Sequence, residues 1–140
     1  GNLIIGYDED DGSDTKSGSH NVILGLEHSY TGYSGIIAGS NNEISGNYNS
    51  VLGGVGNTAS STYSIVVGGA DNIADRGVVV GGNDNETTTF SAVLVGGQYN
   101  TANGSTSSIL GGSYNTTNSG HATIYGGTAQ STSSINEYVP

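Results

Sequence analysis

Short apolar runs, each closed by glycine, recur along the whole chain. They are Leu3-Ile4-Ile5-Gly6, Val22-Ile23-Leu24-Gly25, Ile36-Ile37-Ala38-Gly39, Val51-Leu52-Gly53-Gly54 and Val66-Val67-Gly68-Gly69, then Val79-Val80-Gly81-Gly82, Leu94-Val95-Gly96-Gly97, Ile109-Leu110-Gly111-Gly112 and Ile124-Tyr125-Gly126-Gly127. Successive closing glycines lie 19, 14, 15, 15, 13, 15, 15 and 15 residues apart. A fixed period of this size is the signature of a solenoid. The runs are biased toward β-branched residues, are bounded by Gly, Asn and Ser, and show no 3.6-residue periodicity, so the spacing predicts strands and no helices. One period has room for two strands of about five residues and two tight turns, in which Gly and Asn supply positive φ. The expected architecture is all-β: a parallel β-roll of about nine coils of 13–15 residues, stacked at roughly 4.8 Å. Residues 1–140 form one repeat domain, with an insertion at about 7–19 and an exit segment at about 128–140.

Two columns follow from stacking the periods. Three residues after the closing glycine stands Asn42, Asn57, Asn72, Asn85, Asn100 or Asn115, with His28 and Gln130 at the flanking copies. A small or β-branched residue usually comes two positions later. In register, the asparagine amides bond to one another or to the turn backbone, which is a structural role rather than a ligand-binding one. The second column is a pair of adjacent aliphatics: Val51 with Leu52, Val66 with Val67, Val79 with Val80, Leu94 with Val95, and Ile109 with Leu110. Neighbours on a strand face opposite sides, so one of each pair fills the roll and the other forms an apolar stripe outside. Such a stripe needs cover, and identical stripes on identical coils match from end to end, which predicts self-association around a common axis.

Composition sharpens this picture. The chain has 25 Gly, one Pro and no Cys, Met or Trp, and Leu, Ile, Val and Phe number only 29 of its 140 residues. That is close to the range in which chains stay disordered, so repetition and association must make little apolar surface suffice. Twelve acidic residues stand against Lys16 and Arg76, a formal charge of -10. Without basic clusters, nucleic acid and anionic lipid are poor partners. No apolar run is long enough to span a membrane, and the first residues lack the features of a signal peptide.

Units such as Asn49-Ser50-Val51-Leu52-Gly53-Gly54-Val55-Gly56-Asn57-Thr58-Ala59-Ser60 resemble the head repeats of YadA-like trimeric autotransporter adhesins. The resemblance covers about residues 2–134. It implies a homotrimer of left-handed parallel β-rolls around a three-fold axis, exposed at a bacterial cell surface or outside the cell. It also implies adhesion to a matrix protein, a glycan or a cell-surface receptor. The chain departs from the family motif where a second glycine replaces the last apolar residue of the strand, and where Asn stands in place of the common Ser. A tail-fibre segment and a structural spacer are the alternatives. Ice binding is disfavoured because charges and Ile73 interrupt the rows of Ser and Thr.

Candidate chemistry is sparse. His20, His28 and His121 have no triad or zinc spacing and read as surface or turn residues, and no catalytic residue is expected. Five of the acids fall in the segment 7–14. There Asp8, Asp10, Asp11 and Asp14 offer oxygen ligands of the kind calcium takes but miss the alternating register of an EF-hand, so the segment reads as a solvated loop and no cofactor is assigned. Six residues before the closing glycine come Tyr33, Tyr48, Tyr63 and Arg76. This is an expected aromatic ladder capped by a guanidinium, either stabilising the coils or gripping a sugar or peptide. Tyr99 and Tyr114 form a second short column.

Overall fold

Each period folds into one coil with two short arms, and successive coils stack in parallel. The computed structural model describes all of residues 1–140. One arm of every coil contributes to a ten-stranded parallel sheet that runs from Leu3–Ile5 to Tyr138–Val139. The other contributes to an eight-stranded parallel sheet from Ser29–Tyr30 to Ser131–Thr132. Together they make a solenoid of about nine turns with no helix. Only Val22–Leu26 and Ile36–Ser40 reach the expected five residues, and the other strands are shorter. Most pair over two or three positions, such as Ser50–Val51 and Val78–Val80, because the positive-φ glycines and turn residues close in on both sides.

From Val51 onward the interior is built from one large and one small residue per coil, and the two coils before it pair two large ones. On the ten-stranded sheet, Ile23, Ile37, Val51, Val66, Val79, Leu94, Ile109 and Ile124 are in register and fully buried. Facing them are Tyr30, Ile44, Ala59, Ala74, Thr87, Ala102, Thr117 and Thr132, the residues two positions after the asparagine column. Small facing residues bring the two sheets close together, which is how so few aliphatic side chains fill the roll.

The asparagine column closes one side of this interior. Asn72 Oδ1 accepts the backbone N–H of Asn85 at 3.0 Å, and Asn72 Nδ2 donates to the carbonyls of Gly82 at 3.0 Å and Gly68 at 3.3 Å. Each amide thus ties its own turn to the next coil. The same N–H to Oδ1 link runs unbroken from Asn42 to Gln130, with distances between 2.7 and 3.1 Å. His28 heads the column. Its Nδ1 accepts the Asn42 N–H at 3.2 Å and its Nε2 faces the Leu24 carbonyl at 3.2 Å, so the ring occupies the place of an amide. His28 therefore lies in a turn, as expected, but is buried there rather than at the surface, because its two nitrogens reproduce the acceptor and donor of asparagine.

The preceding glycine is required by the same packing. At Gly97, where φ is +79°, an added Cβ would lie 2.2 Å from the Gly112 carbonyl oxygen and 2.6 Å from Asn100 Nδ2. The closing glycine therefore leaves room for an amide to lie against the next coil, whereas a Cβ on the glycine before it, Gly96, would meet nothing within 4 Å.

Replacing Asn72 by Ala strands the Asn85 N–H in a buried turn and removes one of the two donors to the Gly82 carbonyl, which keeps the Ala70 N–H at 3.0 Å. We expect Asn72→Ala to lower unfolding stability by about 2–5 kcal/mol, against about 0.5 kcal/mol for Thr116→Ala on the outer face, in urea denaturation at one fixed protein concentration.

Candidate functional site

The two faces of the solenoid differ in chemistry. Outside the ten-stranded sheet the second residue of each aliphatic pair is exposed: Leu52 is 51% accessible, Val67 42%, Val80 38%, Val95 39% and Leu110 45%, whereas its neighbour in each pair is 0%. The residues that precede the buried column also point outward, adding Ile36, Ile65, Val78 and Val93 to the same face. No charged residue lies in either of these columns between Val22 and Tyr125. Outside the eight-stranded sheet the corresponding residues are Glu43, Thr58, Ile73, Glu86, Thr101, Thr116 and Ser131, a face that water solvates readily.

The aromatic ladder is only partly in register. Tyr48 and Tyr63 stack with centroids 5.3 Å apart and an interplanar angle of 11°, while Tyr33 meets Tyr48 edge-on at 77°. Tyr33 sits three residues after the inner Tyr30, whereas Tyr48 and Tyr63 sit four after Ile44 and Ala59. Ser34, not Tyr33, shares the left-handed turn conformation of Tyr48 and Tyr63, with φ values of 58°, 58° and 67°. Counting back from the glycine misses this offset because the turn between strand and asparagine is one residue shorter in that coil. Arg76 faces a different ring from the one expected: its Cζ lies 6.0 Å from the centroid of Phe90, one coil further on, and its Nε is 3.4 Å from Asp75 Oδ1. Tyr99 and Tyr114 stack at 4.9 Å and 17°.

The acidic segment is a folded cap and not a loop projecting from the rod. Tyr30 N–H donates to the Thr15 carbonyl at 2.8 Å, Gly18 N–H to the Tyr30 carbonyl at 2.8 Å, and Glu27 N–H to the Glu9 carbonyl at 3.1 Å, so residues 9–18 cover the first edge of the eight-stranded sheet. Lys16 Nζ organises the segment by donating to the carbonyls of Asp8 at 2.6 Å and Glu9 at 2.9 Å, and it lies 3.2 Å from Asp8 Oδ1. Covering an edge strand in this way blocks further pairing there. Asp10, Asp11 and Asp14 bring one carboxylate oxygen each within 4.8 Å of the others. Burial, followed by the charges of Asp10 and Asp11, raises the Asp14 pKa, whereas hydrogen bonds from Ser13 lower that of Asp11. Asp8 stands apart from this trio: its Oδ2 accepts the Tyr30 hydroxyl at 2.7 Å.

A second, partial amide column, at the opposite turn, was not legible in the repeat. Asn21 Oδ1 accepts the Gly35 N–H at 2.8 Å and its Nδ2 donates to the Gly32 carbonyl at 3.0 Å, while Asn49 Oδ1 accepts the Ser64 N–H at 2.9 Å. Only the earlier coils carry asparagine there, so no constant letter marks it. His20 and His121 contact neighbouring hydroxyls, Ser19 Oγ at 3.0 Å and Thr106 Oγ1 at 2.6 Å, and sit far from each other and from His28 along the chain. No helix is long and apolar enough to cross a membrane. Compared with protein-family models, curated proteins and solved structures, the chain matches none of them.

Burial, then the bond to Asp8, pushes the Tyr30 hydroxyl up to about 12 from the usual 10.0. A raised value favours the protonated, folded form, so this contribution is complete below pH 10 and disappears as pH rises through 12. In thermal melts between pH 9 and 12, the native chain should lose its stability advantage over Tyr30→Phe, a narrowing on the order of 2 kcal/mol.

Proposed function

We propose that the chain is a segment of a non-enzymatic, extracellular trimeric rod, a YadA-like adhesin head that holds a binding surface away from a cell. The observation that carries this reading is the contrast between an uncharged apolar face on the ten-stranded sheet and a polar face on the eight-stranded one. A solvated sheet would alternate inward apolar with outward polar residues, as the eight-stranded sheet largely does. The ten-stranded sheet instead spends aliphatic residues on both sides.

The cover that fits is a second and a third copy of the same chain. Every copy carries the same columns at the same coil spacing, so contacts satisfied at one level are satisfied along the rod. A chain of charge -10 repels its copies, and assembly is tolerated only where the contact is free of acids, as this face is. These side chains are already about half covered within one chain, so at about 0.5–1.5 kcal/mol for the remainder of each, eight or nine of them supply roughly 4–13 kcal/mol per protomer before the cost of association. The polar outer face, the aromatic turn and the acidic cap then remain available to a matrix protein, glycan or cell-surface receptor.

The test is oligomeric mass combined with adhesion. Light scattering at micromolar concentration should give about three times 14.0 kDa. Paired substitution Val80→Asp and Val95→Asp should dissociate the assembly, whereas a native chain that is a folded monomer overturns the rod. Beads coated with the native chain are expected to bind immobilised matrix protein or glycan. A trimer that binds neither removes the adhesive role and leaves a spacer.

A further inference from the structure

One coil is two residues shorter than those around it. The step from the inner residue of the eight-stranded sheet to that of the ten-stranded sheet is seven residues in most coils, as from Ala59 to Val66 and from Thr87 to Leu94, but only five from Ala74 to Val79. Register is kept on both sheets, so the whole shortening falls on the turn Asp75-Arg76-Gly77. The turn is pulled inward until a Cβ at Gly77 would lie 2.5 Å from the buried Thr87 Oγ1. The side wall of the rod is left with a notch. Two cavities of about 340 and 280 Å³ share Thr62, Tyr63, Arg76 and Phe90, and they are the only two in the chain.

The walls of the notch are the exposed rings of Tyr63, from the preceding coil, and Phe90, from the following one, at 69% and 63% accessibility. Arg76 lies between them in sequence and in the stack. Its guanidinium is held 6.0 Å from the Phe90 centroid, and only its Nε is committed, to Asp75. No hydrogen bond or other carboxylate engages the two terminal nitrogens, which leaves a planar fork of donors facing solvent. Lys16 is absorbed by the acidic cap, so Arg76 is the one side-chain cation in the chain that is free to meet a ligand.

We propose that this notch binds a single carboxylated sugar ring, a uronate or sialate residue at the end of a glycan. The fork would take the carboxylate through two parallel hydrogen bonds. The apolar face of the pyranose would lie on Phe90 or Tyr63, and the hydroxyls of Thr62 and Ser91 would meet those of the sugar. The surroundings select for one charge rather than many: on a chain of net charge -10, a polyanionic glycan is repelled everywhere except at Arg76. This inference goes beyond the rod reading: no residue of the apolar face lines the larger cavity, whereas Val78 and Val93 at the edge of the smaller one belong to that face.

Amide chemical-shift mapping on the isotope-labelled native chain tests it, with methyl glucuronide, a methyl sialoside and neutral methyl glucoside as probes. Shifts are expected at residues 62–63, 76–77 and 90–91 with one or both acids, and the acid that produces them identifies the sugar. The glucoside should bind about tenfold more weakly, as should the acids to Arg76→Asn, a substitution suited to the +57° φ at that position. Phe90→Ser should weaken binding while leaving distant amides unmoved. The proposal fails if neither acid shifts these amides, if the glucoside binds as well as the acids, or if Arg76→Asn binds unchanged. Should that variant unfold, the acid-to-neutral comparison on the native chain decides alone. Light scattering on the same sample separates the two proposals: a monomer that binds the acid overturns only the rod, and a trimer that does not bind overturns only the notch.

Discussion

Axial registry of identical coils is the constraint on which the rest of this structure depends. Parallel strands of two or three residues contribute few ladder hydrogen bonds each, and a coil by itself has nothing to fold around. The asparagine amide makes up the difference. By accepting the N–H of the next asparagine, as Asn72 does from Asn85, it satisfies a turn donor that would otherwise be buried without a partner, and by donating to the Gly82 carbonyl it joins the Ala70 N–H in tying the two coils together. Both requirements are met only when consecutive coils are aligned, so register errors are penalised at every turn. The glycine before the amide belongs to the same arrangement, since any side chain at Gly97 would collide with the backbone of the coil beside it.

This mode of stabilisation explains a composition that would ordinarily accompany disorder. The interior needs one Ile, Val or Leu per coil, a small partner such as Ala59 or Ala102, and a buried amide at the side. Most of the remaining aliphatics are placed on the outer surface of one sheet, where Leu52 and Leu110 do nothing for the fold of a lone chain. Economy inside and surplus outside together make the apolar face a property to be explained by contact with other copies.

How much was legible in the sequence depends on whether a feature repeats. The paired aliphatics and the asparagines recur in nearly every period, so alternation along a strand sufficed to tell that one of each pair lies inside and the other outside, with Val51 the inner and Leu52 the outer, and to place Asn42 through Asn115 in one column. Features that occur once were harder to read. Tyr33 falls out of line with Tyr48 because a one-residue change in one turn shifts every position counted across it. Phe90 carries no repeat signal, and its meeting with Arg76 follows from a shortened turn whose consequence is visible only in three dimensions. His28 looked like an exception to the column, yet its ring satisfies the same two backbone groups. The acidic segment read as an excursion because its charges suggested solvent, whereas Lys16 and Tyr30 gather it over a sheet edge.

The short coil at Asp75-Arg76-Gly77 shows that circumference and pitch are set independently. Both sheets continue past it with inner residues aligned, from Val66 through Val79 to Leu94 and from Ala59 through Ala74 to Thr87. Loss of two residues from a corner therefore alters the outline of the rod at one level and nothing above or below it. Corners of this kind are sites where evolution can carve or build local relief on a fibre while leaving its length, and the distance between its ends, untouched.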